Sequence, residues 1–106
     1  MEVNIIVNDA EKAMIALAGH LDTLAAQSLT EQLAPVMEHA GKKITLDFTN
    51  LDYISSSGLR VLILLNKKAK EQGGHVTIVG MKDNILQIFQ IVGFDKIFTI
   101  NPTDSE

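Results

Sequence analysis

Residues 43 to 92 pass repeatedly from a period-two to a helical pattern of apolar residues, and no other feature constrains the fold as strongly. In "KKITLDFTNL", Ile44, Leu46 and Phe48 alternate with polar positions, which predicts a strand, and Asn50 to Asp52 have the composition of the loop that leaves it. A helix is expected from about Ser57 to Gln72, closed by Gly73 and Gly74 and with Lys67, Lys68 and Lys70 at its negative end. "HVTIVG" reads as a short β-branched strand. "KDNILQIFQIVG" reads as a second helix, capped by Asp83, with Ile85, Ile88, Phe89 and Val92 on one face and Gly93 at its end. Strands that alternate with helices in this way need crossover connections, so their neighbours in the sheet are parallel.

The chain before residue 43 adds three elements. Val3, Ile5 and Val7 alternate, Asn8 to Lys12 supply turn chemistry, and Met14 to Ala18 is apolar again, so two strands are predicted, the second ending at Gly19. "HLDTLAAQSLTEQLAPVMEHAG" starts a helix at Asp22 or Thr23, with Ala25, Leu29, Leu33, Val36 and Met37 at roughly helical spacing and Gly41 as its stop. Pro35 deletes a bond to the carbonyl of Glu31 and crowds that turn, so a kink or an early end is expected near Ala34. "FDKIFTI" gives a last short strand or docking segment, and residues 102–106 a polar tail. The order is ββαβαβα(β), the last strand depending on which of the two that segment is: a single α/β domain with a mixed four- to five-stranded sheet whose opening pair is expected to be antiparallel.

Composition narrows the function. The 106 residues suit one domain, which at this size buries roughly two thirds of its unfolded surface without needing staples. There is no cysteine, which excludes disulfides, thiolate catalysis and cysteine-ligated zinc. No segment reaches the length of a membrane span and the amino terminus lacks the pattern of a signal peptide, so a soluble, cytoplasmic protein without direct membrane insertion is expected. A net charge of -4, one tyrosine and four phenylalanines argue against nucleic acid as a partner.

The residues that invite a function are Ser55, Ser56, Ser57 and Gly58, placed where a strand hands over to a helix. Helix starts carry unpaired backbone N–H groups and a partial positive charge. A cap accounts for one serine or two, and Gly58 permits close approach of neighbouring backbone. A remaining hydroxyl is suited to accept a phosphate, which the helix dipole and free amides accommodate at little cost to the fold. In the following helix, Leu59, Val61, Leu62, Ile63, Leu64 and Leu65 cover every face of the first two turns. Either the rest of the domain sandwiches that helix, or part of it waits for a partner with the serine turn at the rim.

The run "LDFTNLDYISSSGLRVLI", with "GHLDTLAAQSL" before it and "GGHVTIVGMKDNILQIFQIVGFDKIFTI" after it, resembles the STAS domain of bacterial anti-sigma factor antagonists over nearly the whole chain. The resemblance implies a STAS-like domain over residues 1–101. In that family the turn reads Asp-Ser-Ser-Gly, and a partner that is both anti-sigma factor and serine kinase phosphorylates its first serine. Carried onto this sequence, the acceptor is Ser56, and Ser55, standing where the family has aspartate, is a competing acceptor, with Ser57 a third. Asp22 falls on the family's Leu-Asp pair and Asp47 on its strand aspartate. The implied mechanism is partner switching. Unphosphorylated protein binds the anti-sigma kinase through Asp22, Ser55, Ser56, Ser57, Gly58, Leu59 and Leu62; phosphorylation weakens the complex, and a phosphatase resets it.

Rival readings have less support. A serine hydrolase lacks its G-x-S-x-G elbow, and His20, His39 and His75 are scattered with none marked as a base, so no catalytic residue and no enzyme activity are expected. No histidine or carboxylate spacing points to a metal, and no phosphate loop points to a nucleotide, so no cofactor is expected. The alternative of substance is a STAS module that is never phosphorylated and serves as a constitutive adaptor of a signalling scaffold or a membrane transport complex.

Overall fold

A computed structural model describes residues 1–101; the expected tail, 102–106, lies outside the described residues. Strands β1 (Glu2–Asn8) and β2 (Lys12–Leu21) form a hairpin, followed by helices α1 (Thr23–Gln32) and α2 (Ala34–Glu38). Then come β3 (Lys43–Ile54), α3 (Ser56–Glu71), β4 (His75–Val79), α4 (Asp83–Val92), a single 3₁₀ turn (Phe94–Lys96) and β5 (Thr99–Asn101). The sheet has five strands in the spatial order β1-β2-β3-β4-β5. Only β1 and β2 are antiparallel; every later neighbour is parallel, as the crossover argument requires.

One contiguous core fills the space between sheet and helices. Ala13, Ile15 and Leu17 of β2 and Ile44, Leu46 and Phe48 of β3 join Leu29 and Leu33 below α1, Leu62 and Leu65 of α3, and Phe89 of α4. Phe89 is a hub: its ring lies 6.3 Å from that of Phe48, 5.8 Å from Phe94 and 5.9 Å from Phe98. Edge-on and tilted pairs at these separations are attractive beyond simple burial. They fasten α4 and the last turn to the sheet.

Three local expectations are corrected. First, β2 does not stop at Gly19 and Asn50 to Asp52 are not a loop. Both strands run on, pairing Ala18 with Asn50, Gly19 with Leu51, His20 with Tyr53 and Leu21 with Ile54 across two irregularities. Gly19 is the residue that permits one of these, with φ +97. Second, a bulge between Ile5 and Val7 breaks the alternation of β1, so Val3 and Val7 are half-buried while Ile5 is exposed. Third, Asp83 is not a cap. The N-cap of α4 is Lys82, with no side-chain bond, and Asp83 is the first helical residue, where its charge still favours the helix dipole. The helix expected from about Ser57 to Gln72 is α3, Ser56–Glu71. Pro35 acts as anticipated: α1 ends at Gln32, and the proline sits in the first turn of α2, where its missing N–H has no cost.

Candidate functional site

The extended parallel pairing of β2 and β3 places two helix starts side by side. Leu21 lies opposite Ile54, and the backbone N–H of Ser55 donates to the Leu21 carbonyl at 2.8 Å. Each strand then gives way to a capped helix. Asp22 Oδ1 accepts from the N–H of Ala25 at 2.9 Å, and Ser55 Oγ accepts from the N–H of Gly58 at 3.1 Å. Gly58 is buried where the two elements meet, and a Cβ there would lie 2.6 Å from Leu21 Cγ and 3.0 Å from Ile54 Cγ1. Glycine at this position is a packing requirement.

The three serines are thereby given different duties. Ser55 is half-buried and its hydroxyl is used as the cap. Ser57 is also half-buried. Ser56, the first residue of α3, is exposed, and its hydroxyl makes no hydrogen bond among the described residues. It stands at the positive end of a 16-residue helix, beside the positive end of α1.

Asp22, Ser55, Ser56 and Ser57 therefore share one end of the domain, with Gly58 and Leu59 behind them. Leu62 does not join them. It is completely buried, so the partner contact expected of it is corrected: its side of the helix faces the core, and the accessible apolar side chains are Ile63 and Leu64. Asp47 turns back on its own strand, accepting from the N–H and Oγ1 of Thr49 at 2.9 and 2.6 Å where the pairing with β4 ends.

Other residues at this end escaped the sequence reading. Leu24, in the first turn of α1, is 79% exposed, and Tyr53 is 47% exposed with its ring 6.1 Å from that of His20. Asp52 pairs with Lys82, and Asn84 donates to the Asp52 carbonyl at 3.0 Å, which ties the start of α4 to the end of β3. The hydrogen bond from Lys82, and then its charge, hold the Asp52 carboxyl below the usual carboxylate range. From Ser56 a groove opens along the outer side of α3, with a cavity volume of 410 Å³. Leu59, Ile63 and Leu64 form its apolar helix side, Phe94 lines it from the opposite side, and Arg60 and Lys67 stand along it. The all-round apolar character of α3 signalled such a surface, but Phe94, which follows the helix-ending Gly93, gave no sign in sequence that it would form the opposite wall.

No group of three histidine or carboxylate side chains among the described residues could hold a metal ion. His20 leans on Tyr53, and His75 Nε2 lies 2.9 Å from Thr99 Oγ1. No helix of the described chain is long and apolar enough to cross a membrane.

Residues 6–100, which include the whole of this site, match the family model described as "Mlab, STAS domain". The chain belongs to the STAS domain family. Among relatives of this STAS domain, BtrV of Bordetella bronchiseptica, whose name places it with anti-sigma factor antagonists, is 33% identical over 84 residues, 79% of this chain and 72% of that protein. The anti-sigma-B factor antagonist of Bacillus subtilis is 28% identical over 102 residues, 95% of this chain and 93% of that one. The solved structure of the anti-sigma factor antagonist SpoIIAA in its unphosphorylated form superposes with a TM-score of 0.76 at 15% identity, covering 98% of this chain and 91% of that chain. The phosphorylated form of SpoIIAA, from Bacillus, superposes with a TM-score of 0.75 at 16% identity, over 98% and 95% of the two chains. This STAS domain thus shares the SpoIIAA fold and is homologous to anti-sigma factor antagonists.

Proposed function

We propose that this STAS domain, residues 1–101, is a cytoplasmic anti-sigma factor antagonist that acts by partner switching. Unphosphorylated, it binds an anti-sigma serine kinase through the end of the domain that carries Asp22 and Ser56 and so frees the sigma factor. Phosphorylation of Ser56 releases the kinase, and a phosphatase restores binding.

One observation carries the choice of Ser56. Its hydroxyl is exposed and uncommitted among the described residues, whereas that of Ser55 already serves the Gly58 N–H. A phosphate on Ser56 adds about -1.5 to -2 charges next to the amino end of α3, where the dipole favours them, so the domain stays folded. The same charge placed against a partner packed on Ile63 and Leu64 costs desolvation and meets any acidic group there. The fold is kept and the interface is lost.

Residue 55 lends weight to a second reading. Serine in place of the family's aspartate alters what a kinase would recognise, as expected of a constitutive adaptor that is never phosphorylated. Intact mass and fragment mapping of protein purified from its own host, across growth and stress conditions, separates the two. Phosphate on Ser56 supports the switch, phosphate on Ser55 transfers the role to the neighbouring hydroxyl, and none under any condition supports the adaptor. In a binding assay with the kinase, Ser56→Asp should weaken the complex, and Ser56→Ala should retain it while losing phosphate control.

A further inference from the structure

The groove beside Ser56 has a charge opposite to that of the molecule. The chain carries a net charge of -4, yet two cations, Arg60 and Lys67, and no carboxylate line this cavity. Neither cation is paired among the described residues, whose one ion pair is Lys82 with Asp52. The apolar lining they border is made of Leu59, Ile63 and Leu64, faced by Phe94, and Leu64 remains 37% exposed although three of its neighbours on α3 are buried. The α3 positions recur once per turn from Ser56 to Lys67, a length of about 16 Å at the helical rise, or roughly three turns.

We propose that this groove docks an amphipathic helix of about three turns from the partner kinase, its apolar stripe on Ile63, Leu64 and Phe94 and its acidic residues against Arg60 and Lys67. The proposal rests on the partner-switching reading and adds the chemistry of what is switched. An apolar stripe flanked by carboxylates satisfies both parts of the groove; a stripe flanked by lysines leaves four like charges in contact. A concave trough between a helix and an aromatic wall suits a cylinder better than a flat lipid surface. Arg60 is also one helical turn beyond Ser56, and both line the same cavity. A phosphate on Ser56 is therefore within reach of the Arg60 guanidinium, which it would draw away from the partner's acid while adding its own negative charge at the mouth of the groove.

The test uses the full chain, isotopically labelled, and three probes: a helical peptide with leucines at i, i+3, i+4 and i+7 flanked by glutamates, the same peptide with lysines for the glutamates, and anionic phospholipid vesicles. The glutamate peptide should shift the amide resonances of Leu59, Ile63, Leu64 and Phe94, and the lysine peptide should bind about tenfold more weakly, since it exchanges two attractive charge contacts for two repulsive ones. Arg60→Glu combined with Lys67→Glu, both exposed and so tolerated by the fold, should reverse the preference. Equal binding of the two peptides, no shift with either, or binding of vesicles alone overturns the proposal. Its failure is distinguishable from that of the switch. Glutamate-peptide binding that Ser56→Asp leaves unchanged supports the groove and counts against the switch, whereas phosphate on Ser56 in host cells without peptide binding sinks the groove alone.

Discussion

Replacing Ser55 by alanine should cost stability that replacing Ser56 does not, because only the first hydroxyl is built into the fold. Ser55→Ala removes the acceptor of the Gly58 N–H and leaves that buried donor without a partner, while the backbone bonds from Ser55 to Leu21 and from Leu59 to Ser55 survive. A lost cap costs about 1 kcal/mol, and the burial of the orphaned amide moves the expectation to about 1–2 kcal/mol. With an unfolding entropy of roughly 2.1 cal/mol/K per residue, a domain of this length loses about 4–5 °C of Tm for each kcal/mol, so the shift should be about 5–9 °C. Ser56→Ala, at an exposed position with no bond to lose, should stay within about 2 °C. Ser55→Asp should also be close to neutral, since aspartate caps as well as serine and its charge suits the helix start. Calorimetry on the three variants decides the matter. If Ser55→Ala melts with the unmodified protein, or if Ser56→Ala falls as far, the division of labour between the two serines is wrong.

Other consequences are open to simpler measurements. Gly58→Ala should lose about 1–3 kcal/mol in urea titrations despite alanine's better helix propensity, because the new methyl meets Leu21 and Ile54, both buried and unable to move aside. Phe89→Ala should lose about 3–5 kcal/mol in the same assay, as it empties the centre of the aromatic cluster joining α4, the 3₁₀ turn and β3. Asp52 titrates lower in the folded state than its ordinary 3.8 because Lys82 donates to it. Its contribution is therefore present above that value and is lost as pH falls through the depressed folded pKa. Urea midpoints followed from neutral to acid pH should drop less steeply below pH 3.8 in Lys82→Met than in the unmodified protein.

The parts of the fold that depend on local periodicity were legible, and those that depend on distant pairing were not. From residue 43 to 92 each element repeats its period long enough to be read, so strand, helix, strand, helix follow in the expected order. The last turn of β3 was hidden for a physical reason. Asn50 and Asp52 have turn composition, and what holds them extended is the hydrogen-bonded edge of Ala18 to Leu21, some thirty residues earlier. The irregularities also break the alternation: Leu51 and Ile54 are buried at a spacing of three, which no period-two pattern shows. The same extension carries both strands to the point where two helix starts become neighbours, so the element missed in the sequence is the one that assembles the site.

Within the site, residue types were legible and directions were not. Three serines before an apolar helix mark a place where something beyond a cap is needed, but which hydroxyl is spent depends on the carbonyl of Leu21 fixing Ser55 as the last extended residue. Likewise, six apolar residues covering every face of α3 cannot say that Leu62 points to the core while Ile63 and Leu64 border a groove; the position of Phe94 decides that. The capping bond also shows why an aspartate, the residue that the resemblance implies at this position, should be tolerated in place of Ser55, since its carboxylate is equally suited to accept the Gly58 N–H. What the exchange removes is a carboxylate beside Ser56, and with it the repulsion that an incoming phosphate would meet. Residue 55 is thus a position where Ser55→Asp should leave the cap in place and change only the charge next to Ser56, the proposed acceptor. Any change in Ser56 phosphorylation or in partner affinity in that variant is then electrostatic in origin.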